Sequence, residues 1–386
     1  MDNYEILCGI TLNRIFGYEP ACASRLLERF GSPGAVFSLS KSELVEAFGP
    51  WSKFRASIND SELEVSRREL QALSRLGCTF ILKGSPGYPP LLGECEDAPV
   101  GLYIRSRTPP EELWGRRPAV SVVGTRDLSP YGKEWTEKIV RTLSLTPGKP
   151  LIVSGFAIGV DITAHLAALA FGLPTVAVLP VGIDDIYPRR HRTAASRLLD
   201  TDGCALVTDF PPGTAPVAFN FLRRNRLIAG ISQATILSES KVQGGGTMTA
   251  RLASGYGREV YCLPGRIDDL RSTGCNRLIA EKLAEPIADI DALGAQMGLG
   301  ASRRVKSASL EDKLRDAYAE SPEGVREGVI RIALHIRERR GITPDEICRD
   351  LGLPAGEVSA AVCLLESDGF VYTDLLRRCC IDNKKM

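Results

Sequence analysis

Between Pro118 and Pro264 the chain repeats one pattern six times. AVSVV, LIV, TVAVL, ALVT, ATILS and EVYCL each run into a Gly- or Pro-bearing turn and then a longer amphipathic or apolar segment. Short runs apolar on both faces are strands covered on both faces, and parallel neighbours need a crossover, which the intervening segments supply as helices. The pattern predicts an α/β chain with a Rossmann-like, doubly wound, mostly parallel sheet over residues 76–297. Its lead-in, Cys78 to Tyr103, shifts to Pro and Gly and reads as an extended bridge with one strand at each end.

On either side the pattern changes. Residues 1–75 carry helical spacing in Ile6, Leu7 and Ile10, in Ser24 to Phe30 and in Leu44 to Phe48, broken by Gly31-Ser32-Pro33-Gly34, which predicts a small helical domain. Residues 298–320 open with Gly298 to Ser307, small and polar with a basic run, and read as a linker. Residues 321–386 predict a helix over Val329–Arg339 and a second opened by the capping box Thr343-Pro344-Asp345-Glu346 and ended at Gly352. A third follows from Pro354 to Ser367, then a strand at Phe370-Val371-Tyr372. That order suggests a winged helix.

Composition narrows the function. Forty-eight basic against 47 acidic side chains leave a net charge of +1, so a polyanion partner needs a local patch. No apolar stretch approaches the ~18 residues of a membrane span, and the opening MDNYEILCGI is acidic where a signal peptide is basic; a cytoplasmic protein with no membrane partner is expected. Eleven cysteines stand singly apart from Cys379-Cys380, a pattern of reduced thiols with neither a disulfide frame nor a metal site.

Four segments carry chemistry. Gly124-Thr125-Arg126, followed by Ser129-Pro130, is a strand-to-helix turn whose helix N-terminus offers unpaired N–H groups to phosphate. The G-x-G-x-x-G fingerprint is absent, and Val153-Ser154 stands where an acidic ribose ligand belongs, so no dinucleotide or other cofactor is expected. Ser154-Gly155-Phe156-Ala157-Ile158-Gly159-Val160-Asp161 is a second such turn on the same sheet edge, with Asp161 read as a helix cap and His165 as an interior histidine. Phe219-Asn220-Phe221-Leu222-Arg223-Arg224-Asn225-Arg226 lies in a stretch, Phe210 to Ser238, without an acidic residue. Three arginines beside two aromatics suit phosphate neutralisation and base stacking; the alternative is a solvated arginine face with the rings, Phe219 or Phe221, in the core. Gln243-Gly244-Gly245-Gly246-Thr247-Met248-Thr249 follows the fifth run, where glycines admit close backbone approach and Thr247 and Thr249 can cap or donate to phosphate.

Taken in order, these residues resemble the DprA (Smf) family over nearly the whole chain. The resemblance rests on Gly87-Tyr88-Pro89 through Asp97-Ala98-Pro99, on Gly124-Thr125-Arg126 with Ser129, and on Ser154 to Asp161 with Ala164-His165. It continues through Asp184 with Tyr187-Pro188, Phe221 with Arg224-Asn225-Arg226, Thr247 with Thr249-Ala250, and Pro264-Gly265, to Asn276-Arg277-Leu278-Ile279. It implies a non-enzymatic protein that binds single-stranded DNA, protects incoming strands in natural transformation and loads the RecA recombinase, usually as a homodimer. An N-terminal helical domain, like a sterile-alpha-motif or helix-hairpin-helix unit, and a winged helix are family features. The residues implied to hold DNA are Gly124, Thr125, Arg126 and Ser129, then Ser154, Gly155, Ala157 and Gly159, then Phe221, Arg223, Arg224, Asn225 and Arg226, and Gly245, Gly246 and Thr247. No catalytic residue and no metal is implied.

Departures and rivals bound that reading. Pro180 stands where the family often has glycine, and Leu222 where proline is usual. The turn Gly17-Tyr18-Glu19-Pro20 lacks the paired glycines of a backbone phosphate clamp, so the N-terminal helices are not expected to hold DNA by themselves. Pro354 to Ser367 carries Glu357 and Glu366 but no Arg or Lys, which suits a protein contact better than a DNA groove. For a homodimer, Leu278, Ile279 and Leu283 are either a contact patch or ordinary core. A nucleotide-binding or LOG-type phosphoribohydrolase shares a G-G-x-G-T-x-x-E turn, but Ala250 occupies its carboxylate position; a scaffold acting through its outer modules is the third class. An ATP-driven motor lacks its G-x-x-x-x-G-K-[ST] loop.

Overall fold

The structure, a computed structural model, describes residues 2–115, 117–302, 310–339, 341–374 and 377–381. It divides into two compact units, 1–303 and 304–386. Residues 303–309 of the segment read as a linker lie outside the described residues.

Nine strands form the sheet of the first unit: β1 Cys78–Leu82, β2 Gly101–Ser106, β3 Ala119–Val123, β4 Leu151–Ser154, β5 Thr175–Val178, β6 Ala205–Thr208, β7 Ala234–Leu237, β8 Glu259–Cys262 and β9 Glu285–Pro286. They stand in the order β1-β2-β6-β5-β4-β3-β7-β8-β9. The six apolar runs are β3 to β8, all mutually parallel. The Pro- and Gly-rich lead-in supplies β1 and β2, which pair antiparallel with each other, and β2 also pairs antiparallel with β6. From β3 the chain winds outward through β4, β5 and β6, then crosses back to place β7 on the other side of β3. The winding reverses between β3 and β7, and in such sheets ligands sit outside the strand C-termini at that reversal.

Strand residues alternate faces, and each face has its own helix pair. Val120, Val122 and Ile152 pack under the helices Pro130–Ser144 and Val160–Ala170. Val123, Val153 and Val178 face the helices Ala218–Ile231 and Gly245–Gly255. Burial of both faces explains why these strands read as unbroken apolar runs.

The N-terminal helices Asn3–Ile15, Pro20–Phe30, Pro33–Phe37, Lys41–Phe48 and Asp60–Arg75 share a core with the sheet, where Ile10, Leu12 and Phe16 meet Phe80, Tyr103, Leu179 and Leu206. Asn13 Nδ2 also donates to the Asp209 carbonyl at 2.8 Å. Leu278 is core, Ile279 is partly buried against it, and Leu283 reaches the surface, so Leu278 is ordinary core and offers no contact patch.

At the far end of this unit Leu299, read as linker, is buried, and its carbonyl accepts from Gly148 N at 3.0 Å. Residues 310–317, also read as linker, form a helix because Leu310 and Leu314, one turn apart, both enter the core of the second unit. That unit continues with helices Glu323–Glu338, Pro344–Leu351 and Ala355–Ser367 and a hairpin of β10 Val371–Thr373 and β11 Cys379–Ile381. Thr343 and Glu346 form a reciprocal capping box, and Gly352 ends that helix in the left-handed conformation. No helix among the described residues is long and apolar enough to cross a membrane.

Candidate nucleic-acid interface

At the reversal the turns after β3 and β7 touch backbone to backbone: a Cβ on Gly246 would stand 2.8 Å from Gly124 Cα. Thr125 N donates to the Glu239 carbonyl at 2.6 Å, tying the turns together. Beside them opens a crevice of about 750 Å³, to which the β4 turn and the helix Ala218–Ile231 also contribute. Gly124, Thr125 and Arg126 form one wall, Ala157 and Asp161 a second, Phe221, Arg224 and Asn225 a third, and Gly244 to Gly246 with Thr249 the fourth.

The two helix N-termini at this edge differ. At Ser129-Pro130 the buried Glu239 carboxylate accepts from Ser129 N at 3.0 Å and from Ser129 Oγ at 2.5 Å, while Ser129 Oγ accepts from Gly132 N at 3.0 Å. An internal anion thus already occupies the place where phosphate was expected, and Ser129 is a helix cap outside the crevice wall. The helix Gly245–Gly255 has no side-chain cap at Gly244, and its first turn lines the crevice with bare backbone. First-turn amides have no intrahelical acceptor; Ser240 Oγ accepts from Thr247 N at 3.2 Å, so the glycine amides of Gly245 and Gly246 are the ones placed to receive an anion. Thr247, expected as a contact, is buried and donates to the Lys241 carbonyl at 2.8 Å, holding the turn from behind.

The β4 turn works mostly from beneath. Ser154, fully buried, donates through Oγ to the Val122 carbonyl at 2.6 Å and so fastens β4 to β3 instead of facing a ligand. Gly155 and Gly159 also lie outside the crevice wall and make room: a Cβ on Gly155 would meet Arg224 Nη1 at 1.8 Å, and one on Gly159, whose φ is +87°, would meet the Thr125 carbonyl at 2.2 Å. Asp161 accepts from Ala157 N at 3.3 Å, and burial raises its pKa although Arg224 opposes the shift. Behind the turn, His165 Nδ1 lies 2.7 Å from Thr175 Oγ1, which itself donates to the Ile152 carbonyl. The other ring nitrogen, Nε2, is buried as well, beside the Ser154 backbone. Burial, with Arg224 nearby, pushes the His165 pKa down to about 3.

The three arginines of the helix Ala218–Ile231 separate. Arg223 and Arg226, three residues apart and so on one helix face, both ion-pair with Asp209, which is 1% exposed; the Arg223 contact is 2.9 Å. Arg226 also donates to the Asp97 carbonyl. Neither lines the crevice, contrary to the sequence reading, because their partner stands one residue before the acid-free stretch. Arg224 turns to the crevice floor, 3% exposed, and donates to the Val178 carbonyl at 2.7 Å. Burial lowers its pKa to about 10, which leaves it charged at neutral pH. At the mouth the exposed Arg126 lays its guanidinium 4.6 Å over the Phe221 ring, and Tyr187 meets the same ring edge-on at 5.5 Å. Asn225 Nδ2 donates to the Gly245 carbonyl at 3.4 Å, linking this helix to the glycine turn.

Sequence reasoning missed several lining residues, Lys241 and Tyr187 among them, and two acids behind the crevice. Lys241, an exposed cation of the crevice, sits just before the glycine run, and Tyr187 was noted only as half of a Tyr-Pro pair. Glu239 and Asp209 decide which donors and cations stay free, yet each lies outside the segment whose groups it pairs, Glu239 110 residues from Ser129 and Asp209 just outside the acid-free stretch that holds Arg223 and Arg226. Ala250, at the position where a phosphoribohydrolase needs its carboxylate, is buried against the sheet.

Residues 79–298 match the family described as DNA recombination-mediator protein A. Protein Smf from Synechocystis is 31% identical over 312 residues, covering 76% of this chain and 77% of that protein. DNA processing protein DprA from Streptococcus pneumoniae is 38% identical over 196 residues, covering 50% of this chain and 66% of that protein. The X-ray structure of DNA processing protein A from Streptococcus pneumoniae superposes with a TM-score of 0.64 at 30% identity, covering 77% of this chain and 98% of that one.

Proposed function

Since the chain belongs to the DNA recombination-mediator protein A family, we propose that its crevice grips single-stranded DNA without cleaving or chemically altering it. One observation carries the reading: Arg126 stacked on Phe221 lines the same crevice as the glycine turn Gly244–Gly246 that opens a helix. A guanidinium and backbone amides suit phosphate, and an aromatic ring suits a base that has left its stack. Duplex bases are already stacked and paired, so a recessed ring favours the unpaired strand. Backbone amides and ring faces do not discriminate bases, so sequence preference is slight.

In the cell this binding shields incoming strands and loads the RecA recombinase in the cytoplasm during natural transformation, with the protein acting as a homodimer. These roles draw support from the family resemblance. The C-terminal residues 321–386 act as a winged-helix domain that meets a protein, since the helix Ala355–Ser367 brings no cation to a DNA groove.

The test is anisotropy of labelled single and double strands at several salt concentrations. Arg126→Ala is expected to lower single-strand affinity and reduce the log-log salt slope by about 0.7, the value for one phosphate contact. Phe221→Ala is expected to weaken binding by about 1 to 3 kcal/mol with the slope unchanged. Equal affinity of the unaltered protein for single and double strands would overturn the reading.

A further inference from the structure

Beyond the crevice, Leu222 is a shared wall. It lines both the crevice and an adjoining apolar groove of about 580 Å³, between the turn that opens the helix Pro20–Phe30 and the helices Ala218–Ile231 and Gly245–Gly255. Two aromatic rings stand in this groove largely in water: Tyr18 is 61% exposed and Phe219 60%. Their centroids are 6.0 Å apart and their planes 29° from parallel.

Tyr18 is held from behind. The Arg223 guanidinium lies 4.6 Å from its ring centroid, and its hydroxyl reaches Asn220 Oδ1 at 3.5 Å. Arg223 is itself pinned by buried Asp209, so the support is rigid. A ring fixed in place yet left exposed has lost its rotamer freedom without gaining burial, an arrangement that suits a ligand-stacking surface. Leu222 and Met248 add exposed apolar surface, and Arg25 places an exposed cation at the rim.

We propose that the bound strand leaves the crevice over Leu222 and stacks further bases on Tyr18 and Phe219, making the N-terminal helices part of the DNA-binding surface. The inference rests on the single-strand reading of the crevice. Continuity through Leu222 and near-parallel rings favour nucleobases as the occupant over an apolar peptide. The turn at Gly17-Tyr18 thus contributes a ring where no backbone clamp was available.

The full chain is titrated with oligothymidylates of about 5 nucleotides, which the crevice alone accommodates, and about 20, which reach the groove. Phe219→Ala and Tyr18→Ala are each expected to weaken the long strand roughly fivefold or more while leaving the short one and the salt slope unchanged. Phe219→Tyr is expected to restore affinity. With a 20-mer made abasic beyond the crevice, the alanine variants are expected to match the unaltered protein. Wild-type affinity of both alanine variants for the long strand overturns the platform and leaves the crevice reading standing. So does an equal loss on the abasic strand, which would point to a lost fold or to an apolar peptide as the natural occupant. Failure of the unaltered protein to bind either strand removes the crevice reading itself.

Discussion

At the scale of single residues, position relative to one buried acid decides what each arginine does. Asp209 takes Arg223 and Arg226 into internal ion pairs, while Arg224 reaches the crevice floor and Arg126 its mouth. Arg223→Ala leaves Asp209 with Arg226 alone in a site that is nearly dry, and Asp209→Ala strands two guanidiniums. Removing one member of such a buried group is expected to lower unfolding free energy by about 3 to 5 kcal/mol, read by chemical denaturation. The salt slope of single-strand binding is expected to be unchanged in Arg223→Ala, unlike Arg126→Ala; a reduced slope would put Arg223 on phosphate. The segment Phe219 to Arg226 was legible as a mixture of rings and cations. Its division was not, because motif reading stopped at Phe210 and Asp209 lies just beyond. The same holds for Ser129, whose capping role was legible but whose neutralisation by Glu239 depends on a strand distant in sequence.

At the scale of elements, the helix Val160–Ala170 carries a titratable group into the core. His165 is fully buried, and its pKa is pushed down to about 3 from an ordinary 6.5. The unfolded chain therefore takes up a proton that the native state refuses. This contribution to stability is intact above pH 6.5 and is lost as pH falls toward 3, by roughly 3 to 5 kcal/mol in all. His165→Leu, close in volume and without a titrating nitrogen, is expected to flatten stability against pH in that window; an unaltered acid limb would show that other groups set it. Elements were the most legible level. Strands β3 to β8 announced themselves because burial on both faces demands unbroken apolar runs, and Thr343 with Glu346 announced a helix start. The helix Leu310–Ala317 did not, since two leucines among charged residues are too few to outweigh a polar, basic stretch.

At the scale of the whole molecule, near-neutral net charge means that binding depends on where cations stand, and those of the crevice all belong to the first compact unit. A chain ending after residue 303 is expected to bind single strands with the salt slope of the full chain, checked by the same titration; a shallower slope would place phosphate contacts on residues 304–386. Fold class followed from the repeat of strands and helices, but the reversal between β3 and β7 is a matter of strand order, which local pattern does not encode. That reversal brings Glu239 under one helix and leaves the neighbouring glycine helix open. An acid lodged beneath one helix start and none beneath its neighbour make the two doorways unequal: an approaching anion meets a carboxylate behind the first and backbone amides at the second.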